Sequence, residues 1–334
     1  MVFKRFFALL LLSLLSLKGA AFCQGDEQII RELFERTTGR TTFSLNIIPI
    51  AEGLTNRNYK VFFDGDPVFV RLGHKDPHSL RIDRAKELSM YRLVEKDGIA
   101  PQLLYSDPAT GTLVAPFIQG TPYGKKGGQW LYERTESIRK IVSLLCRTHA
   151  HQSPGLQEIE YPFHIIEAYI QQARAASALL PKDIDRALDM VRTLKSYHPQ
   201  HSSVLCHQDL VPDNFIFDGE NLFLVDWEYA DWGDPMYDLA ALCIEHQFDE
   251  EEKEMVLQNY FQTPTEKERV HLEMMCMLYS LRDALWYFIE NNPSPEKRCD
   301  YLGLAYYHYH NFYASAQWLQ DHQVSLASYN TAST

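Results

Sequence analysis

The stretch His207-Gln208-Asp209-Leu210-Val211-Pro212-Asp213-Asn214 and, shortly after it, Val225-Asp226-Trp227-Glu228-Tyr229 hold the residues whose types and spacing could do chemistry. Asp209 stands five positions before Asn214, and Asp226 follows twelve positions later. A carboxylate to orient an attacking hydroxyl and two oxygen ligands to hold magnesium on phosphates are the parts that phosphoryl transfer from a nucleotide needs. The apolar segments Val204-Leu205-Cys206, Phe215-Ile216-Phe217 and Leu222-Phe223-Leu224-Val225 read as short buried strands that carry these loops.

The elements around the motif change character along the chain. Residues 27–38 show helical apolar spacing that ends at Gly39. From residue 43 to 72 the pattern is strand-like: Ile47-Ile48-Pro49-Ile50, a turn at Gly53, Tyr59-Lys60-Val61-Phe62-Phe63, an Asp64-Gly65-Asp66-Pro67 turn, then Val68-Phe69-Val70-Arg71-Leu72. An amphipathic helix over 83–97 contains Glu87, and Leu103-Leu104-Tyr105 and Leu113-Val114-Ala115 read as two further strands. Beyond residues 116–126 helical spacing dominates, over 138–149, 165–180, 184–197, 250–261, 266–290 and 301–319. The expected class is α+β: a β-rich N-lobe over 26–117 and a mainly helical C-lobe over 118–320, with a cleft between them and a hinge at Ala115-Pro116-Phe117. A leader over 1–23 and a tail over 321–334 complete the expected organisation.

With 334 residues the chain can bury a substantial core, and its composition, 46% hydrophobic and 23% charged, is that of a globular protein. A formal net charge of -12 without a basic patch excludes a phosphate-backbone binder, so nucleic acid is not an expected partner. Lys4 and Arg5 precede an apolar run from residue 6 to 17, and small residues follow at Gly19, Ala20 and Ala21. That pattern describes a secretory signal peptide or a membrane anchor, with transient membrane contact through the leader. The location stays open, because a nucleotide-dependent enzyme needs a compartment that supplies ATP. The six cysteines, Cys23, Cys146, Cys206, Cys243, Cys276 and Cys299, lack paired spacing and read as free thiols.

Four segments together resemble the choline/ethanolamine kinase family, a branch of the aminoglycoside-phosphotransferase-like kinases. They are Gly53-Leu54-Thr55-Asn56-Arg57-Asn58-Tyr59, Val68-Phe69-Val70-Arg71-Leu72-Gly73, the motif from His207 to Asn214, and Val225-Asp226-Trp227-Glu228-Tyr229-Ala230. The resemblance runs from about residue 28 to about residue 315 and is closest to bacterial choline kinases of the lipopolysaccharide type. It implies a two-lobed protein-kinase-like fold, ATP and Mg²⁺ as cofactors, and a small amino alcohol, choline or ethanolamine, as substrate. Glu52 stands where the family usually has a second glycine, and Arg71 where most related kinases carry lysine.

The resemblance makes Asp209 the catalytic base and Asn214 and Asp226 the magnesium ligands. His207 would brace the loop. Asp238 would hydrogen-bond the catalytic-loop backbone or cap its own helix. Thr55, Asn56, Asn58, Arg71, Glu87 and Phe117 are the expected nucleotide-binding positions. Independently of family, Arg71 at the end of an apolar strand needs a partner, and Glu87 could supply it. The acceptor is expected to meet Asp209, Tyr229, Glu245, Asp283 and Trp286, since aromatic faces and carboxylates hold an ammonium group. Asp283 and Leu304 replace aromatic residues common in the family, which leaves a more acidic cage and keeps ethanolamine beside choline. An aminoglycoside or other small alcohol as acceptor, and an exported non-catalytic binding protein, remain the alternatives. Tyr306-Tyr307-His308-Tyr309-His310 reads as helix packing, and His308 and His310, two apart, are not a metal pair.

Overall fold

A run of three alternating strands gives the N-terminal part a sheet whose inner face is apolar. The computed structural model describes residues 25–50, 56–73, 82–153, 162–195, 203–291 and 300–322. The leader, Thr55 and the tail beyond residue 322 lie outside them, as do Cys23 and Cys299. Strands β1 (Leu45–Ile50), β2 (Arg57–Phe63), β3 (Asp66–Leu72), β4 (Tyr105–Asp107) and β5 (Thr112–Pro116) form one antiparallel sheet in the order β1-β2-β3-β5-β4. Helix α1 (Asp26–Thr38) lays Ile30, Leu33 and Phe34 against Tyr59, Val61, Val70, Leu72 and Val114. Helix α2 (Arg84–Val94) starts where the Asp83 carboxylate accepts the N–H groups of Ala85 and Lys86.

The chain divides into two compact units, but not at a single point. Residues 1–122 join 215–229 in the first, and 123–214 with 230–334 make the second. The hairpin of β10 (Phe215–Phe217) and β11 (Leu222–Leu224) belongs with the first unit because β10 pairs with β6 (Thr121–Pro122). Gly120 makes this approach possible: a Cβ there would stand 2.6 Å from the Phe217 carbonyl oxygen. A one-break division near residue 117 is therefore replaced by an interleaved one.

The second unit is mainly helical. It contains the short hairpin β7 (Lys125–Lys126) and β8 (Gln129–Trp130), helices α3 (Arg134–Thr148), α4 (Phe163–Ala175) and α5 (Ile184–Lys195), and strand β9 (Val204–Cys206), which pairs with β12 (Asp231–Gly233). Helices α6 (Pro235–Glu245), α7 (Glu250–Phe261), α8 (Glu266–Glu290) and α9 (Tyr301–Asp321) follow. Asp249 and Thr265 begin α7 and α8 with capping boxes completed by Glu252 and Glu268. Nearly the whole of α8 from Val270 to Leu285 is buried, and it is the central helix of this unit.

Two expected elements shift. The helix expected over 165–180 stops at Ala175, because Ser177 adopts φ 52 just beyond it. The strand expected at 103–105 begins only at Tyr105, since the Leu103 N–H turns to the Glu95 carboxylate at 2.9 Å. Among the described residues no helix is long and apolar enough to cross a membrane. Cys206, Cys243 and Cys276 are buried free thiols, whereas Cys146 is exposed.

Candidate active site

In the first unit the nucleotide-side expectations converge on buried charges. Arg71 leaves the end of β3 and pairs with Glu87 at 2.6 Å, and its Nη1 stands 3.4 Å from Asp226 Oδ1. Both side chains of the Arg71–Glu87 pair are 5% exposed. Burial opposes the Arg71 charge, but Glu87, Asp226 and Glu228 outweigh it and hold the guanidinium above its ordinary value. Burial likewise works against the Glu87 carboxylate, while Arg71 and Arg84 keep it below the usual carboxylate range.

Two members of this network, Arg84 and Glu228, were not singled out from the sequence. Arg84 pairs with Glu87 at 2.8 Å and with Glu228 at 3.1 Å. Asn56 closes the ring: its Nδ2 donates to Glu228 at 2.7 Å, and its Oδ1 accepts from Arg84 at 2.8 Å. The Asn56 side chain is thus a brace of the charge network, where a phosphate-covering role was expected. Asn58 lies directly across the ladder from Arg71. Phe117 donates its backbone N–H to the Pro67 carbonyl at 3.3 Å and carries the Lys60 ammonium 4.2 Å from its ring centre. Thr55 lies outside the described residues.

Asp226 has φ 66, a left-handed conformation unusual for a non-glycine residue. The neighbouring Trp227 is fully buried and donates its indole N–H to the Leu224 carbonyl at 2.9 Å, anchoring the strained turn. Tyr229 belongs to the same unit as Asp226, and the other expected acceptor residues belong to the second unit.

In the second unit the loop after β9 is fixed from below. Asp238 is fully buried and accepts the backbone N–H groups of His207 and Gln208, each at 2.8 Å. It also meets His149 Nε2 at 3.1 Å, and His149 Nδ1 meets the Tyr260 hydroxyl at 2.8 Å. Asp234 is the residue that caps α6, accepting from the Met236 N–H, so Asp238 serves the loop. His207, fully buried, accepts the Asp209 N–H at 3.3 Å and braces the loop. Asn214, at the end of a 3₁₀ turn over Pro212–Asn214, donates Nδ2 to the Asp209 carbonyl at 2.8 Å and to Asp209 Oδ2 at 3.2 Å. With its N–H groups so used, the amide offers its carbonyl oxygen as a ligand.

Glu245 and Asp283, expected to meet the acceptor, lie in a cluster that Arg282 ties to this loop. Glu245, Asp283 and His308 place their polar atoms within 4.8 Å of one another. Arg282 ties this cluster to the loop, with Nη1 on Asp283 at 2.7 Å and Nη2 donating to the Gln208 carbonyl at 2.6 Å. The Tyr279 hydroxyl donates to Glu245 at 2.9 Å. Burial first, then the carboxylates of Asp283 and Asp209, raises Glu245 well above the usual carboxylate range. Tyr287 stacks on the His308 ring with centres 5.4 Å apart, and Trp286 joins through Tyr287 at 5.0 Å. His308 is buried and His310 is not, so they do not act as a pair. Glu228, Arg84, Arg282 and His308 had one legible signal in the sequence, polar groups on otherwise apolar faces or beside the motifs.

Asn214 and Asp226 each carry a hard oxygen atom, the donor type that magnesium prefers. A β-rich N-terminal region, a helical C-terminal region and this loop together suit a phosphotransferase. The chain belongs to the phosphotransferase enzyme family, which it matches over residues 46–272. It is 38% identical over 55 residues to protein LicA of Haemophilus influenzae, a match covering 16% of this chain and 21% of LicA. It is 24% identical over 202 residues to ethanolamine kinase 2 of Mus musculus, covering 57% of this chain and 50% of that protein. The chain thus spans between about a fifth and a half of the length of these curated relatives. The solved choline kinase LicA from Streptococcus pneumoniae superposes with a TM-score of 0.69 at 23% identity, over 89% of this chain and all of that one. At that identity the likeness establishes the fold.

Proposed function

We propose that the protein is an ATP-dependent kinase that phosphorylates the hydroxyl of choline or a related small amino alcohol. The observation that carries this reading is the placement of Asp209 among acidic groups suited to a cation. Its charge bears on Glu245, which shares a cluster with Asp283 and His308, with Tyr279 and Tyr287 beside it. A cationic alcohol held there brings its hydroxyl to a carboxylate that can accept the proton.

Arg71, kept charged by Glu87, is the group proposed to meet the nucleotide phosphates, and the Arg84–Glu228–Asn56 ring keeps that pair in place. Asn214 and Asp226 are the residues proposed to hold magnesium, which would neutralise charge on the transferring phosphoryl group. Asp238 and Arg282 fix the loop that carries Asp209, so most of the rate enhancement comes from positioning and electrostatics. The sequence likeness to ethanolamine kinase 2 supports an amino-alcohol acceptor.

The test is a coupled assay of ADP formation with choline, ethanolamine and an aminoglycoside panel. Turnover of choline or ethanolamine, abolished in Asp209→Asn with nucleotide binding retained, is the expected result. Preferential turnover of an aminoglycoside would overturn the acceptor assignment, and full activity in Asp209→Asn would overturn the mechanism.

A further inference from the structure

Glu245, Asp283 and His308 each bring one polar atom within 4.8 Å of the other two, and each residue is only partly engaged. Glu245 Oε1 accepts the Tyr279 hydroxyl at 2.9 Å, and Asp283 Oδ1 meets Arg282 Nη1 at 2.7 Å. The second oxygen of each carboxylate takes no hydrogen bond among the described residues. The two side chains stay 13% and 10% exposed, so a ligand can reach them. The His308 side chain is only 2% exposed, and its Nε2 faces the cluster, 3.7 Å from Glu245 Oε1 and beyond hydrogen-bond distance. That nitrogen has no hydrogen-bond partner among the described residues. Burial keeps the ring neutral, which leaves it one nitrogen able to accept.

A primary ammonium group carries three N–H donors, and three acceptors at about 2.9 Å around its nitrogen stand about 4.7 Å apart. The cluster is of that size. A quaternary ammonium has no N–H, and its methyl groups hold oxygen atoms about 4 Å from the nitrogen, which would spread three of them to about 6.5 Å. Such a cation relies on aromatic faces instead. Here Arg282 already lies over the Tyr279 ring at 4.9 Å, and His308 stacks on Tyr287 at 5.4 Å. Arg282 also offsets one of the two carboxylates, which leaves one negative charge for one cation. We propose that Glu245, Asp283 and His308 form a clamp for a primary ammonium group, which makes the acceptor a primary amino alcohol such as ethanolamine and disfavours choline. The clamp rests on the reading of this cluster as the acceptor site.

The test is calorimetric titration of the full chain with ethanolamine, its N-methyl and N,N-dimethyl derivatives and choline, run beside the ADP-formation assay. The dissociation constant should rise with each methyl group, by at least about 100-fold from ethanolamine to choline. His308→Leu should weaken ethanolamine binding and compress that range to about tenfold or less, while His308→Gln, which keeps an acceptor, recovers part of it. If His308→Leu does not fold, the wild-type series decides alone. The clamp is overturned by choline binding as tight as ethanolamine, by no saturable binding of any member, or by a range as wide in His308→Leu as in wild type. ADP formation with choline as fast as with ethanolamine also overturns it and leaves the kinase reading intact. Graded binding without ADP formation does the reverse: the kinase reading falls and the clamp stands.

Discussion

Asp238 holds Gln208 in a left-handed backbone conformation: its Oδ1 accepts the Gln208 N–H at 2.8 Å while Gln208 sits at φ 67. A non-glycine residue in that region stores of order 1–3 kcal/mol, which the surroundings must hold in place. Here the hold comes from the buried Asp238 carboxylate, acting on the residue next to Asp209. Strain and its restraint are thus built next to the candidate base.

Replacing Asp238 with Asn puts an amide N–H where a backbone N–H needs an acceptor. Each buried donor left unsatisfied costs about 1–3 kcal/mol, and the loop then relaxes away from its strained form. The expected outcome is a turnover number reduced by at least about tenfold, with a lower melting temperature and a nearly unchanged KM for ATP. Steady-state kinetics with thermal melts will check this; a turnover number equal to wild type would remove Asp238 from its positioning role.

Arg71→Ala leaves Glu87 buried with Arg84 as its remaining partner. Breaking a buried pair from one side costs about 3–5 kcal/mol, and the surviving Arg84 contact places the loss near the lower end. Urea denaturation should show that destabilisation, and nucleotide affinity should fall as well. Arg71→Lys keeps the charge but not the planar guanidinium, whose Nη1 meets both Glu87 and Asp226 while its Nε donates to the Gly111 carbonyl, so it should recover only part of each.

These two networks differ in how far they can be read from sequence. Asp209 and Asn214 are joined across five residues, so their spacing already reports the contact. Arg71 and Glu87 were legible because a charge at the end of an apolar strand demands an acid nearby. The ring that completes them was not: Asn56 and Glu228 stand 172 positions apart, and Arg84 and Glu228 stand 144 apart. His308 was read as helix packing, and it does pack. Its nearness to Glu245 depends on how α9 sets against α6 and α8, which no local pattern encodes. The discontinuous first unit was hidden for the same reason, since β6 and β10 are two- and three-residue strands far apart in the chain.

Glu245 should make acceptor binding depend on pH. Its carboxyl is raised by burial and by Asp283 and Asp209, so it keeps its proton as pH climbs past the ordinary value of 4.5. Its contribution to folding is complete below that value and is lost as pH rises through the raised one. Only the ionised form attracts an ammonium group, so KM for the acceptor should fall with rising pH, at a limiting slope of about tenfold per unit. Glu245→Gln should raise KM and flatten that profile while KM for ATP stays constant. A profile as steep in the variant as in wild type would assign the ionisation to another group.

His308 carries the opposite sign. Burial, the largest influence, pulls its imidazole down from 6.5 to about 4, with Asp283 working against the shift and Arg282 adding to it. The folded protein therefore holds His308 neutral, and its stability contribution is present above 6.5 and lost as pH falls through about 4. A shift of that size corresponds to on the order of 3 kcal/mol across the window. Denaturation midpoints should drop between those pH values in wild type and drop less in His308→Gln. Equal slopes in the two proteins would show that other groups control the acid limb.

Gly124 links stability to the end of α6 by sterics alone. It adopts φ 111, and a Cβ there would stand 2.4 Å from the His246 ring, one residue after Glu245. The Lys125 N–H, next along the chain, donates to His246 Nδ1 at 3.1 Å, so the ring cannot retreat without losing that bond. Gly124→Ala thus combines backbone strain with overpacking, each worth about 1–3 kcal/mol. The variant should melt at lower temperature and show a raised acceptor KM, because His246 is pushed and Glu245 moves with it. Kinetics and melts on Gly124→Ala separate the two effects. A lowered melting temperature with an unchanged acceptor KM would mean that the end of α6 absorbs the displacement before it reaches the carboxylate.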